Sequence, residues 1–126
     1  MIHWEHKVKN NYQIPTTNTT RKTAKMKKLQ TKLAQFVSER NWEQFHSPKN
    51  LVMALSVETA ELVEIFQWME GAESRKVDAA TRKHIEEEVG DVMIYLTMLA
   101  SKFDLDPIEA AHKKMELNAK KYPVNP

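Results

Sequence analysis

Apolar positions along this chain recur at helical spacing in four segments. From Met26 to about Asn41, Leu29, Leu33, Phe36 and Val37 mark one face of a helix. A second helix is predicted from Pro48 to about Glu70, with Ser47 as N-cap, Pro48 at the first helical position and Gly71 near the stop. Residues 71–78 are polar and turn-like. A third helix is predicted from about Ala79 to Phe103. Asp106, followed by Pro107 and by Glu109 three residues on, opens a fourth that ends before Pro123. Four helices with short connections predict an all-α four-helix bundle. Residues 1–25 carry no sustained period, and Asn10, Asn11, Pro15 and the Thr/Asn run 16–20 read as a loop-like leader ahead of a helical domain spanning 26–124.

Two of the apolar stripes are interrupted by acids. At about 100° per residue, Leu51, Leu62 and Ile65 fall within about 40° of Glu58, and Glu61 lies about 60° to one side. The third helix repeats this: Val92, Tyr95 and Leu99 lie within about 40° of Glu88, with Asp91 about 60° to one side. Glu64, Glu86 and Glu87 fall off these faces. Four carboxylates on buried faces cannot all stay ionised without a counter-charge, and the stripes around them contain no Lys or Arg. They are protonated, or they hold a cation. An all-carboxylate set suits a hard ion, Mg²⁺ or its substitute Mn²⁺. Di-iron bundles instead require Glu-x-x-His on paired helices. Glu109-x-x-His112 and Glu43-x-x-His46 have that spacing, but the second falls in a Pro-containing connection and neither belongs to the four core acids.

Composition narrows the setting. The 126 residues suffice for one domain. Two glycines are too few for a hairpin-rich sheet. The absence of cysteine excludes disulfides and thiolate metal sites. With no apolar run long enough to span a bilayer and no signal-like stretch, a reducing cytoplasm is the expected compartment and no membrane is expected as partner. Net charge is +2, unevenly spread: residues 1–32 hold eight of the 19 basic residues and one acid, which leaves the remainder at −5. The basic leader is expected to be a solvated, flexible segment rather than a nucleic-acid arm.

The ordered set of Glu58-x-x-Glu61, 26 intervening residues and Glu88-x-x-Asp91 resembles the MazG-like all-α nucleoside triphosphate pyrophosphohydrolases. Arg40–Asn50, the Phe66–Gln67–Trp68 triplet, Asp91–Tyr95, and Lys114–Met115 through Asn118 to Tyr122–Pro123 are similar to the dCTP pyrophosphatase branch. The resemblance implies Mg²⁺-dependent hydrolysis of a (d)NTP to the monophosphate and pyrophosphate, and clearance of unwanted nucleotides. It implies metal ligands at Glu58, Glu61, Glu88 and Asp91. It also implies base-enclosing aromatics at Trp42 and Trp68, and contacts to phosphate or sugar from Tyr95, Lys114 and Asn118. Glu61 or Glu58 would orient or deprotonate the attacking water, and Lys114 would stabilise the leaving pyrophosphate. His46 is read either as a turn residue or as a further substrate contact. One departure stands out: where related enzymes place a base-contacting His on the first helix, this chain has Leu33. The family points to a homodimer or homotetramer with helices pairing across subunits, which suits the apolar Met53, Met69, Met93 and Met98 on helices long for so small a core. Two other readings compete: a non-catalytic helical module with a nucleic-acid-binding leader, and phosphoribosyl-ATP hydrolysis, against which the Trp42 and Trp68 positions argue.

Overall fold

A computed structural model describes residues 19–125. Four long helices carry the fold: α1 (Thr19–Glu39), α2 (Pro48–Phe66), α4 (Ala79–Ser101) and α5 (Pro107–Lys121), with a one-turn helix α3 (Gly71–Ser74) and a 3₁₀ turn (Glu43–Phe45) in the connections. No strand occurs among the described residues. The molecule is an all-α helical bundle, as the periodicity predicts.

Local chemistry explains the helix starts. Ser47 Oγ accepts the Asn50 N–H at 3.2 Å, and Pro48 takes the position where a missing N–H costs nothing. Asp78 caps α4 by accepting the Thr81 N–H at 2.8 Å. Asp106 caps α5 by accepting from Ile108 at 2.8 Å and Glu109 at 3.3 Å, with Pro107 following.

Two helices end in the same way. Asn41 adopts a left-handed φ of 56°. That lets the Asn41 N–H reach Ser38 O (3.1 Å) and the Trp42 N–H reach Val37 O (3.1 Å), the paired bonds of a Schellman motif. At the end of α4, Asp104 (φ 53°) brings its N–H to Ser101 O and the Leu105 N–H to Ala100 O. Asn and Asp tolerate this region better than other non-glycine residues.

Two boundaries differ from the sequence expectation. α1 starts at Thr19, upstream of Met26, where the apolar period begins; the remainder of the expected leader, residues 1–18, lies outside the described residues. α2 stops at Phe66 rather than near Glu70. A tight turn from Met69 N–H to Phe66 O (2.9 Å) ends it, and Glu70 is extended (φ −70°, ψ 154°). Gly71 therefore opens α3 instead of closing α2, and no glycine has a positive φ.

The principal packing is α2 against α4, with α1 laid across α4 and α5 touching both α1 and α4. The core is thin. Among the described residues only Met26, Val37, Leu51 and Ala100 are buried apolar side chains. Val52, Met53, Leu96, Phe103 and Leu105 stay exposed and border an apolar groove of about 740 Å³ between the start of α2, the end of α4 and α5. No described helix is long and apolar enough to cross a membrane.

Candidate metal centre and adjoining cleft

The α2–α4 pairing sets the acidic residues face to face. Glu58 and Glu61 are one turn apart on α2, and Glu88 and Asp91 are one turn apart on α4. One carboxylate oxygen from each of the four lies within 4.8 Å of the others. Glu88 is buried and the other three are half-buried, whereas Glu64, Glu86 and Glu87 are exposed, as their helical angles predict.

Crowding perturbs these groups. Burial pushes the Glu58 carboxyl up to about 7; a proton shared with Glu61 and the charges of Glu61, Asp91 and Glu88 push the same way. Glu88 is also raised, first by burial, then by Glu61 and Asp91, with His84 acting weakly in opposition. His84 Nε2 stands 3.4 Å from Glu88 Oε1, one turn earlier on α4; the sequence reading missed it, although the i, i+4 spacing was visible. Among the described residues no Lys or Arg pairs with any of the four acids. Oε2 of Glu58 and Oε2 of Glu88 are buried without a hydrogen-bond partner. Orphaned oxygens in a converging, all-oxygen set lacking a protein cation are the donor arrangement that a divalent metal satisfies. The cluster therefore fits Mg²⁺ or Mn²⁺.

A cavity of about 270 Å³ opens beside the acids, bounded by Glu58 and Asp91 on one side. The Schellman turn delivers Trp42 to it, the 3₁₀ turn delivers His46, and α4 delivers Tyr95. Trp42 meets Phe36 edge-on at 5.7 Å and 69°, and His46 at 6.5 Å and 63°. The Arg40 guanidinium covers the Phe36 ring at 3.5 Å and so buttresses this wall. Leu33, Val37, Ile94 and Met98 complete the lining. The sequence reading placed Leu33 and Phe36 on an apolar face but assigned Phe36, Ile94 and Met98 no part in the site. Their signal was the step of three and four residues from Leu33 and from Asp91.

The MazG-like family model matches residues 53–126, a stretch that contains all four acids and Tyr95. This chain belongs to the MazG-like family. It is 44% identical over 94 residues to dCTP pyrophosphatase 1 of Rattus norvegicus, an alignment covering 73% of this chain and 55% of the relative. With dCTP pyrophosphatase 1 of Homo sapiens the identity is 42% over the same shares. The chain thus spans little more than half the length of the curated relatives it matches. A crystal structure of a pyrophosphatase from Archaeoglobus fulgidus DSM 4304 superposes with a TM-score of 0.74 at 43% identity, over 79% of this chain and 93% of that one.

Within this MazG-like chain the expected residues divide into two groups. Trp42, His46 and Tyr95 surround the same cavity as Glu58 and Asp91. Trp68, Lys114 and Asn118 do not line it. Trp68 lies beyond the end of α2 and is 89% exposed, Lys114 is exposed on α5, and Asn118 is half-buried near the end of that helix.

Proposed function

We propose that this chain hydrolyses nucleoside triphosphates, with dCTP or a related dNTP as substrate, to the monophosphate and pyrophosphate, and so removes unwanted nucleotides from the pool. The observation that carries the reading is the junction of two unlike surfaces: a cavity bordered by Glu58 and Asp91 of a four-carboxylate cluster that no Lys or Arg pairs with among the described residues, and by the aromatic side chains of Phe36, Trp42 and Tyr95. Similarity to dCTP pyrophosphatase 1 supports the same substrate class.

Glu58, Glu61, Glu88 and Asp91 would hold Mg²⁺. A bound Mg²⁺ supplies charge neutralisation between the carboxylates and the phosphate oxygens and stabilises the transferring phosphoryl group. Trp42 and His46 clasp the base, while Tyr95, on the acidic side of the cavity, positions the sugar or the α-phosphate. Glu61 or Glu58 orients the attacking water or takes its proton, and of the two it is Glu58 that borders the cavity.

Trp68, Lys114 and Asn118 complete the site of a second copy. That they do not line this chain's own cavity supports that assignment, as do the thin core and the exposed apolar groove. The working unit is then a homodimer or a homotetramer, in which Lys114 meets the charge on the leaving pyrophosphate.

Pyrophosphate release from a panel of dNTPs with Mg²⁺ tests the proposal. Release with dCTP that is lost in Glu58→Gln and in Asp91→Asn is the expected result. No release above blank, or release unchanged in both variants, would overturn it.

A further inference from the structure

The cavity beside the acids has a neighbour across Leu33, Val37 and Met98. A second chamber, also about 270 Å³, adjoins it, and Leu33, Val37, His46 and Met98 border both. Their adjacency follows from helix geometry. Gln30, Leu33 and Val37 share one face of α1, and α4 continues from Asp91 through Ile94 and Met98 to Ser101 and Lys102 in steps of three and four. The second chamber therefore lies farther along α4 from the carboxylates than the first, across the side chains the two share.

Its chemistry changes along that path. The shared waist is apolar at Leu33, Val37 and Met98, and the chamber beyond adds Gln30, Glu43, Ser101 and Lys102. One acid and one base balance in charge, so the chamber is a poor host for another phosphate. An amide and a hydroxyl beside them make it a hydrogen-bonding pocket. Ser101 Oγ donates to Thr97 O at 2.9 Å, which leaves its lone pairs to accept from a ligand.

We propose that this second chamber receives a polar arm carried by the nucleobase on the edge opposite the sugar, with an alkyl link crossing the apolar waist and a hydrogen-bonding end group among Gln30, Glu43, Ser101 and Lys102. The inference rests on the triphosphate reading above. A nucleotide whose phosphates face the carboxylates and whose base meets Trp42 and His46 directs the ring position opposite the glycosidic bond along the cleft, toward this chamber. On cytosine that position bears N4. The substrate class is thus widened to nucleoside triphosphates with enlarged, polar-tipped bases.

The test compares dCTP, N4-(3-hydroxypropyl)-dCTP and N4-propyl-dCTP as substrates of the full chain with Mg²⁺. The hydroxypropyl nucleotide should be cleaved within about threefold of dCTP in kcat/KM, and the propyl analogue at least about tenfold less well, because its end makes none of the chamber's hydrogen bonds and displaces water from polar side chains. Ser101→Leu and Gln30→Leu, which fill the chamber or remove its polarity, should each lower kcat/KM for the hydroxypropyl nucleotide by about tenfold and leave dCTP within about twofold. Cleavage of dCTP without cleavage of the hydroxypropyl nucleotide would overturn the chamber's role, as would equal loss of both substrates in both variants. Equal rates for the hydroxypropyl and propyl analogues would overturn the polar recognition. Failure to cleave any of the three would overturn the triphosphate reading itself, a result distinct from these.

Discussion

Trp42 donates its backbone N–H to the carbonyl of Val37 at 3.1 Å, and this one bond both closes α1 and brings an indole to the wall of the cleft. It depends on Asn41 at φ 56°. Asn41→Val places a β-branched residue where it is strained, and should cost about 1–2 kcal/mol of stability. It should also raise KM for the nucleotide more than it lowers kcat, because the base wall moves and the carboxylates do not. Asn41→Gly should preserve both. Thermal melts and steady-state kinetics of the two variants check this.

Glu58 sets a pH dependence in the metal-free protein. Its carboxyl titrates at about 7 in the fold, against 4.5 for an unperturbed glutamate, and Glu88 is raised as well. The folded state thus binds more protons than the unfolded state between these values, so stability is full below about pH 4.5 and falls as pH rises through about 7. A melting series in EDTA from pH 5 to about 8 should show a falling Tm. Adding Mg²⁺ should flatten or reverse the slope, since the cation binds the deprotonated set.

Removing one charge separates stability from function. Glu58→Gln relieves repulsion in the cluster and should raise the metal-free Tm by a few degrees. The same change should weaken Mg²⁺ or Mn²⁺ binding about 10- to 100-fold by calorimetry and remove turnover. A variant that loses stability along with activity would mean that the carboxylates serve mainly to hold the fold.

Subunit exchange addresses Lys114. Lys114→Ala leaves the chain's own carboxylates intact, and Glu58→Gln leaves its own lysine intact. Each homo-oligomer should be nearly inactive. Mixed assemblies formed by partial denaturation and refolding together should recover activity, because one site then combines intact residues from both chains. Confirmed exchange without recovery would place Lys114 in the site of its own chain.

Much of this was legible in the sequence because it is local. Ser47 with Pro48 and Asp106 with Pro107 announce helix starts through side-chain caps that need only a few residues. The acidic pairs were legible because spacings of three fall on one face, and the apolar neighbours of Glu58 and Glu88 identified that face as buried. The start of α1 was not, since polar residues between Thr19 and Met26 carry no period even though the backbone is helical there. Gly71 misled because a turn at Phe66–Met69 ends α2 before it. The separation of Trp68, Lys114 and Asn118 from the cavity depends on how α2 and α5 are disposed around α4, which no spacing encodes.

Hydrolysis of dCTP in ¹⁸O-enriched water with Mg²⁺ tests the central claim most directly. Water attack at the α-phosphorus places the label in dCMP and leaves the pyrophosphate unlabelled, and the reaction should vanish in Asp91→Asn. Label in pyrophosphate, or release of dCDP and inorganic phosphate, would contradict it.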